Sequence, residues 1–132
     1  MPTTKPILGL NFYDEGISNI VEDYLTRKGY SFQKVSGEKI EQSLKNPDKY
    51  LCAILGGLRT NPKRDSCEGG LGLVSKLKGI GLNTLVLSGA DDYTLNKYKE
   101  KLGSDGVSFL RKPFALNSLK KYVENICINQ GE

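Results

Sequence analysis

Residues 84–114 read TLVLSGADDYTLNKYKEKLGSDGVSFLRKPF, and the order of patterns in this stretch decides the fold. Residues 84–87 form a short apolar run, as a parallel strand buried on both faces requires. Ser88, Asp91 and Asp92 supply helix-start chemistry. Leu95, Tyr98 and Leu102 then recur at the spacing of one helix face. Gly103 and Gly106 bracket a turn, residues 107–110 are a second apolar run, and Pro113 is placed to open another helix. Strand, helix and strand in succession make a crossover unit, in which the two strands run parallel and the connection is right-handed.

The same alternation extends in both directions. Residues 51–55 (LCAIL) are the most apolar strand and are expected at the centre of the sheet. A loop containing Gly and Arg covers residues 56–70, and Leu71, Val74 and Leu77 mark the helix after it. Upstream, residues 7–12 read as the first strand. Ile17, Ile20, Val21, Tyr24 and Leu25 form the stripe of a helix that Gly29 stops. Residues 30–35 alternate apolar and polar, as an edge strand does. Ile40 and Leu44 mark a short second helix ending before Asn46-Pro47. Downstream, Leu116, Leu119, Val123 and Ile126 face inward from the last helix. Five such units predict an α/β fold: a flavodoxin-like, doubly wound parallel sheet in strand order 2-1-3-4-5. No internal repeat or linker interrupts the pattern, so a single domain is expected over residues 1–132, with its core at about 6–127.

Composition excludes several function classes. The chain has 132 residues, 38% hydrophobic and 26% charged, an ordinary balance for one compact domain. No long uncharged apolar run predicts a membrane span, and residues 1–6 lack a secretory pattern, so a cytoplasmic protein is expected. Cys52, Cys67 and Cys127 are odd in number and lack metal-ligand spacing. With no histidine in the chain, zinc binding and an activated cysteine nucleophile are both disfavoured. The net charge of +4 comes from dispersed Lys and Arg. Their dispersal argues against nucleic acid as a partner, and the charge permits attraction to acidic partners without demanding it.

In an open parallel sheet, ligands bind beyond the carboxyl ends of the strands. Those ends present Asn11, Phe12, Tyr13 and Asp14; Gly56 and Gly57; Ser88 and Gly89; and Arg111, Lys112 and Pro113. Lys112-Pro113-Phe114 follows the last strand, and Ser88-Gly89-Ala90 ends the one before it. Together with Gly29-Tyr30, Gly103 and Asp105-Gly106, this pattern resembles the receiver domains of two-component response regulators over residues 7–126. The resemblance implies a phosphorylation pocket. Two acidic residues after the first strand would hold Mg²⁺, an aspartate ending the third would accept the phosphoryl group, and a Ser or Thr ending the fourth would bond its oxygens. A Lys before the Pro would neutralise it. Ser88 and Lys112 match the last two roles. The acidic pair falls on Phe12 and Tyr13, the acceptor on Gly56, and the family's switch aromatic, often Tyr, on Phe109.

The pocket formed by Phe12, Tyr13, Gly56, Ser88 and Lys112 is therefore expected to be degenerate, with no catalytic residue, cofactor or metal. Asp14 and Glu15 would serve a metal only if the first loop were bulged. In the plainer reading they lie in the first helical turn, where negative charge complements the dipole. The expected function is that of a pseudo-receiver, a signalling domain acting by contact with a kinase, an output domain or a scaffold. The face of the fourth helix, fifth strand and fifth helix, with Tyr98, Lys101, Phe109, Lys120 and Lys121, would make the contact. A monomer or weak homodimer is expected. Two alternatives stand beside this: a phosphoacceptor with a rearranged acidic site, and a sensor using the vacated pocket for a small anion or ligand. In the sensor, Lys112, Ser88 and the amides of Gly56 and Gly57 would hold the anion. Otherwise Phe12 or Tyr13 would plug the pocket, with Lys112 turned out.

Overall fold

The structure, a computed structural model, describes residues 5–12, 15–35, 38–57, 68–89, 92–102, 106–112 and 114–129. Five parallel strands, β1 (Ile7–Leu10), β2 (Phe32–Lys34), β3 (Ala53–Leu55), β4 (Thr84–Ser88) and β5 (Val107–Arg111), form one sheet in the order β2-β1-β3-β4-β5. Between and after them run α1 (Glu15–Arg27), α2 (Glu38–Leu44), α3 (Glu68–Gly79), α4 (Asp92–Leu102) and α5 (Leu116–Asn129), with a 3-10 turn at Pro47–Lys49. This is the flavodoxin-like architecture that the alternating sequence pattern predicts.

The continuous apolar runs arise because consecutive strand residues enter opposite cores. Ile7, Ile54, Leu85 and Leu87 pack with Val21 and Leu25 of α1 and Leu119, Val123 and Ile126 of α5. Their strand neighbours Leu8, Leu10, Leu55 and Val86 pack with Leu44 of α2, Val74 and Leu77 of α3 and Leu102 of α4. A fully buried Leu or Ile contributes roughly 1.5–3 kcal/mol, so both layers hold the sheet. Cys52 is buried, as its place in the LCAIL run predicts. Cys67 lies outside the described residues. No helix among the described residues is long and apolar enough to cross a membrane.

Several boundaries differ from the sequence reading. β4 continues through Ser88 and β5 through Arg111, because these two residues pair in register. Ser88 is thus a strand residue rather than the start of α4. α5 begins at Leu116, so the helix does not open at 113; Pro113 itself lies outside the described residues. α3 begins at Glu68, inside the stretch expected to be loop. β2 is confined to Phe32–Lys34, with Gln33 and Lys34 exposed, which suits an edge strand.

Gly9 of β1 makes room for Phe32. A Cβ at position 9 would stand 2.5 Å from Phe32 Cζ. The Phe32 ring in turn meets Phe12 edge-on, with centroids 5.6 Å apart and planes at 80°. A chain of close packing thus runs from the edge strand to the end of β1.

Tyr122 on α5 packs against the core that contains Cys52. Burial, and secondarily the charge of an ionised Cys52, push its phenol above the ordinary tyrosine value. An unfolded tyrosine titrates near pH ~10. Above that pH the unfolded chain releases a proton that folded Tyr122 retains, so the native state binds more protons and stability falls. Tyr122→Phe is expected to flatten the loss of stability between about pH 9 and about pH 11, measured by urea unfolding at each pH. An unchanged slope would place the alkaline sensitivity elsewhere.

Candidate functional site

The carboxyl ends of β1, β3, β4 and β5 converge at one edge of the sheet. Beyond β1 the chain turns at Asn11, a buried residue with φ 55°. This left-handed conformation is one that Asn tolerates better than most residues. Asn11 Nδ2 donates to the Gly57 carbonyl at 3.4 Å, tying the end of β1 to the segment after β3. The sequence reading placed Asn11 at this edge without giving it a role. Its signal was the residue type: Asn where a strand must turn sharply.

The turn brings Phe12 over Gly56. A Cβ on Gly56 would lie 2.7 Å from Phe12 Cδ1, 2.8 Å from Cγ and 2.9 Å from the Asn11 carbonyl oxygen. Non-bonded carbons prefer about 3.5–4.0 Å, so with Phe12 where it stands, position 56 has no space for a side chain. The two residues therefore fit each other: the ring fills the space into which a side chain at position 56 would project.

Ser88 is buried at the end of β4. Its carbonyl accepts the Lys112 amide at 2.7 Å. The half-buried Lys112 side chain reaches across the edge, and its Nζ donates to the Gly56 carbonyl at 2.6 Å. Lys112 is thus tied to β4 through its backbone and to β3 through its ammonium, a charge-assisted bond of the stronger kind.

Phe12, Gly56, Ser88 and Lys112 are accordingly brought together. Tyr13 and Asp14 lie outside the described residues. Glu15 is exposed in the first turn of α1, where it complements the helix dipole.

Two expectations need correction. Lys112 does not turn out where Phe12 fills the cleft, because the Gly56 carbonyl gives the ammonium a dipole to bond. The Gly56 amide is not a donor for an anion, because it donates to the Leu10 carbonyl at 2.8 Å. That leaves Gly57, Ser88 and Lys112 from the set proposed for an anion, and Lys112 already spends one of its three donors on protein.

The residues expected to form the contact face divide between elements. Tyr98 of α4 stacks on Phe109 of β5, with centroids 6.4 Å apart and planes at 27°, and both lean on the core beneath. Lys101 and Lys121 are exposed. Lys120 pairs with Glu124 one turn along α5 at 3.7 Å. Sequence reasoning missed Tyr93, which is 68% exposed with Lys97 Nζ 4.5 Å from its ring centroid.

No family model matches this sequence, and no curated protein matches it. Solved structures do match its fold. A response regulator receiver protein from Pseudoalteromonas atlantica superposes with a TM-score of 0.70 at 21% identity, over 96% of this chain and 100% of its own. The receiver domain of a Francisella response regulator gives 0.69 at 19%, over 96% and 99%. The signal receiver domain of a modulated diguanylate cyclase from Desulfovibrio desulfuricans gives 0.68 at 16%, over 96% and 97%. The chain therefore has the fold of response regulator receiver domains.

Proposed function

We propose that this chain is a pseudo-receiver, a non-enzymatic signalling domain that acts through protein contacts and takes no phosphoryl group at the end of β3. One observation carries the reading: the Phe12 ring stands over Gly56, in the space an acceptor side chain would need. Phosphoryl transfer depends on a nucleophile held in line with its donor, with cations spread around the transferred group. Gly56 has no nucleophile. The fold supports a role in signal transduction. The Tyr98–Phe109 stack, flanked by exposed lysines, is a contact face suited to an acidic kinase, output domain or scaffold surface.

The test is incubation with acetyl phosphate and Mg²⁺, followed by intact mass measurement and peptide mapping. The expected result is no phosphoryl adduct. An adduct on any Asp, including Asp14, would overturn the proposal in favour of a phosphoacceptor with a rearranged acidic site.

A further inference from the structure

A second concave site lies at the other side of the sheet, where the edge strand β2 meets α2. It is an open groove of about 240 Å³ whose lining includes Gln33, Lys39, Gln42, Asn46, Lys49 and Tyr50. Ile40 and Leu44 turn the apolar side of α2 toward the core. Lys39 and Gln42, with Asn46 just beyond the helix, continue at i, i+3 and i+7 along another side, so one polar stripe borders the groove. The buried Tyr50 lies beneath it.

The chemistry of this lining is uneven. It holds two lysines and no carboxylate among the described residues, although the chain carries 15 Asp and Glu against 19 Lys and Arg. Among the described neighbours, the Glu41 carboxylate is drawn away to Lys76 at 2.7 Å. Three carboxamides can each donate and accept, which suits hydroxyl groups, while ammonium groups serve as point charges for phosphate. A site with both is matched to a ligand bearing both.

We propose that the β2–α2 groove binds a small phosphorylated, hydroxyl-bearing molecule. Lys39 and Lys49 engage the phosphate, and Gln33, Gln42 and Asn46 engage the hydroxyls. The proposal is independent of the reading of the pocket at Gly56, since the two sites share no residue.

The test is an NMR titration of the backbone amides with ribose 5-phosphate, with ribose and with inorganic phosphate, at constant ionic strength. Ribose 5-phosphate is expected to give saturable shifts centred on Gln33, Lys39, Gln42 and Asn46, with weaker effects from either part alone. The Lys39→Ala/Lys49→Ala double variant should bind about tenfold more weakly or worse. Both lysines are exposed, so this variant should retain the fold, read from the dispersion of its spectrum. Shifts centred on Ser88 and Lys112, shifts spread over all surface lysines, or affinity unchanged in the double variant would each overturn the proposal.

Discussion

Gly56→Asp, which places a carboxylate where the resemblance aligns the receiver acceptor, is expected to destabilise the protein by about 2–3 kcal/mol and to yield no phosphoacceptor. The new Cβ would overlap the Phe12 ring at 2.7 and 2.8 Å and the Asn11 carbonyl oxygen at 2.9 Å. Phe12 is held on its other side by Phe32, and Asn11 by its turn, so neither yields without lost packing. Attraction between the new carboxylate and the Lys112 ammonium acts the other way. It is worth less than the overlap, because the ammonium is already bonded to the Gly56 carbonyl. Gly56→Ala separates the two effects and should retain most of the loss. In a Phe12→Ala background both substitutions at 56 should cost less, with a coupling of about 1 kcal/mol or more. Urea unfolding of the two double-mutant cycles measures this, and simple additivity would mean that the ring does not block the position.

The second large effect is expected at Lys112. Lys112→Met keeps most of the aliphatic stem and removes the ammonium, leaving the Gly56 carbonyl without that bond. A hydrogen bond to a charged group is worth about 1.5–3 kcal/mol, and partial exposure of this side chain lowers the expected loss to about 1–2 kcal/mol. Because the Gly56 amide is committed to Leu10, the loss should be independent of anions. Sulfate raises the melting temperature of many proteins by exclusion from their surface. Its advantage over chloride at equal ionic strength should be the same in wild type and Lys112→Met. An advantage that vanishes in the variant would mean that the cleft binds the anion.

The fold was legible because the apolar period marked a strand and a helix in every unit. Leu85, Val86 and Leu87 read as a strand buried on both faces, and they enter the two cores alternately. That position 56 carries no side chain was equally legible. What the sequence left open was direction. An ammonium before Pro113 can point in or out, and only the position of the Gly56 carbonyl decides that it points in. The mutual fit of Phe12 and Gly56 joins residues 44 positions apart and depends on the left-handed turn at Asn11, which no local pattern states. The helix start expected at 113 was misplaced, since α5 begins at Leu116; Ser88, read both as a strand end and as helix-start chemistry, serves in the last pair of the β4–β5 ladder. The groove between β2 and α2 was not foreseen, since its polar lining comes from three separate segments whose residues each look like ordinary surface.

The proposed function requires that no phosphoryl group be received at this edge of the sheet. Its most direct test is titration with beryllium fluoride and Mg²⁺, a mimic of a phosphorylated carboxylate, followed through the backbone amides of Gly56, Gly57, Ser88 and Lys112. No saturable shift is expected at these positions. Saturable shifts there that require both beryllium fluoride and Mg²⁺ would contradict the proposed function, because they would show a carboxylate and a metal site assembled in the space assigned to Phe12.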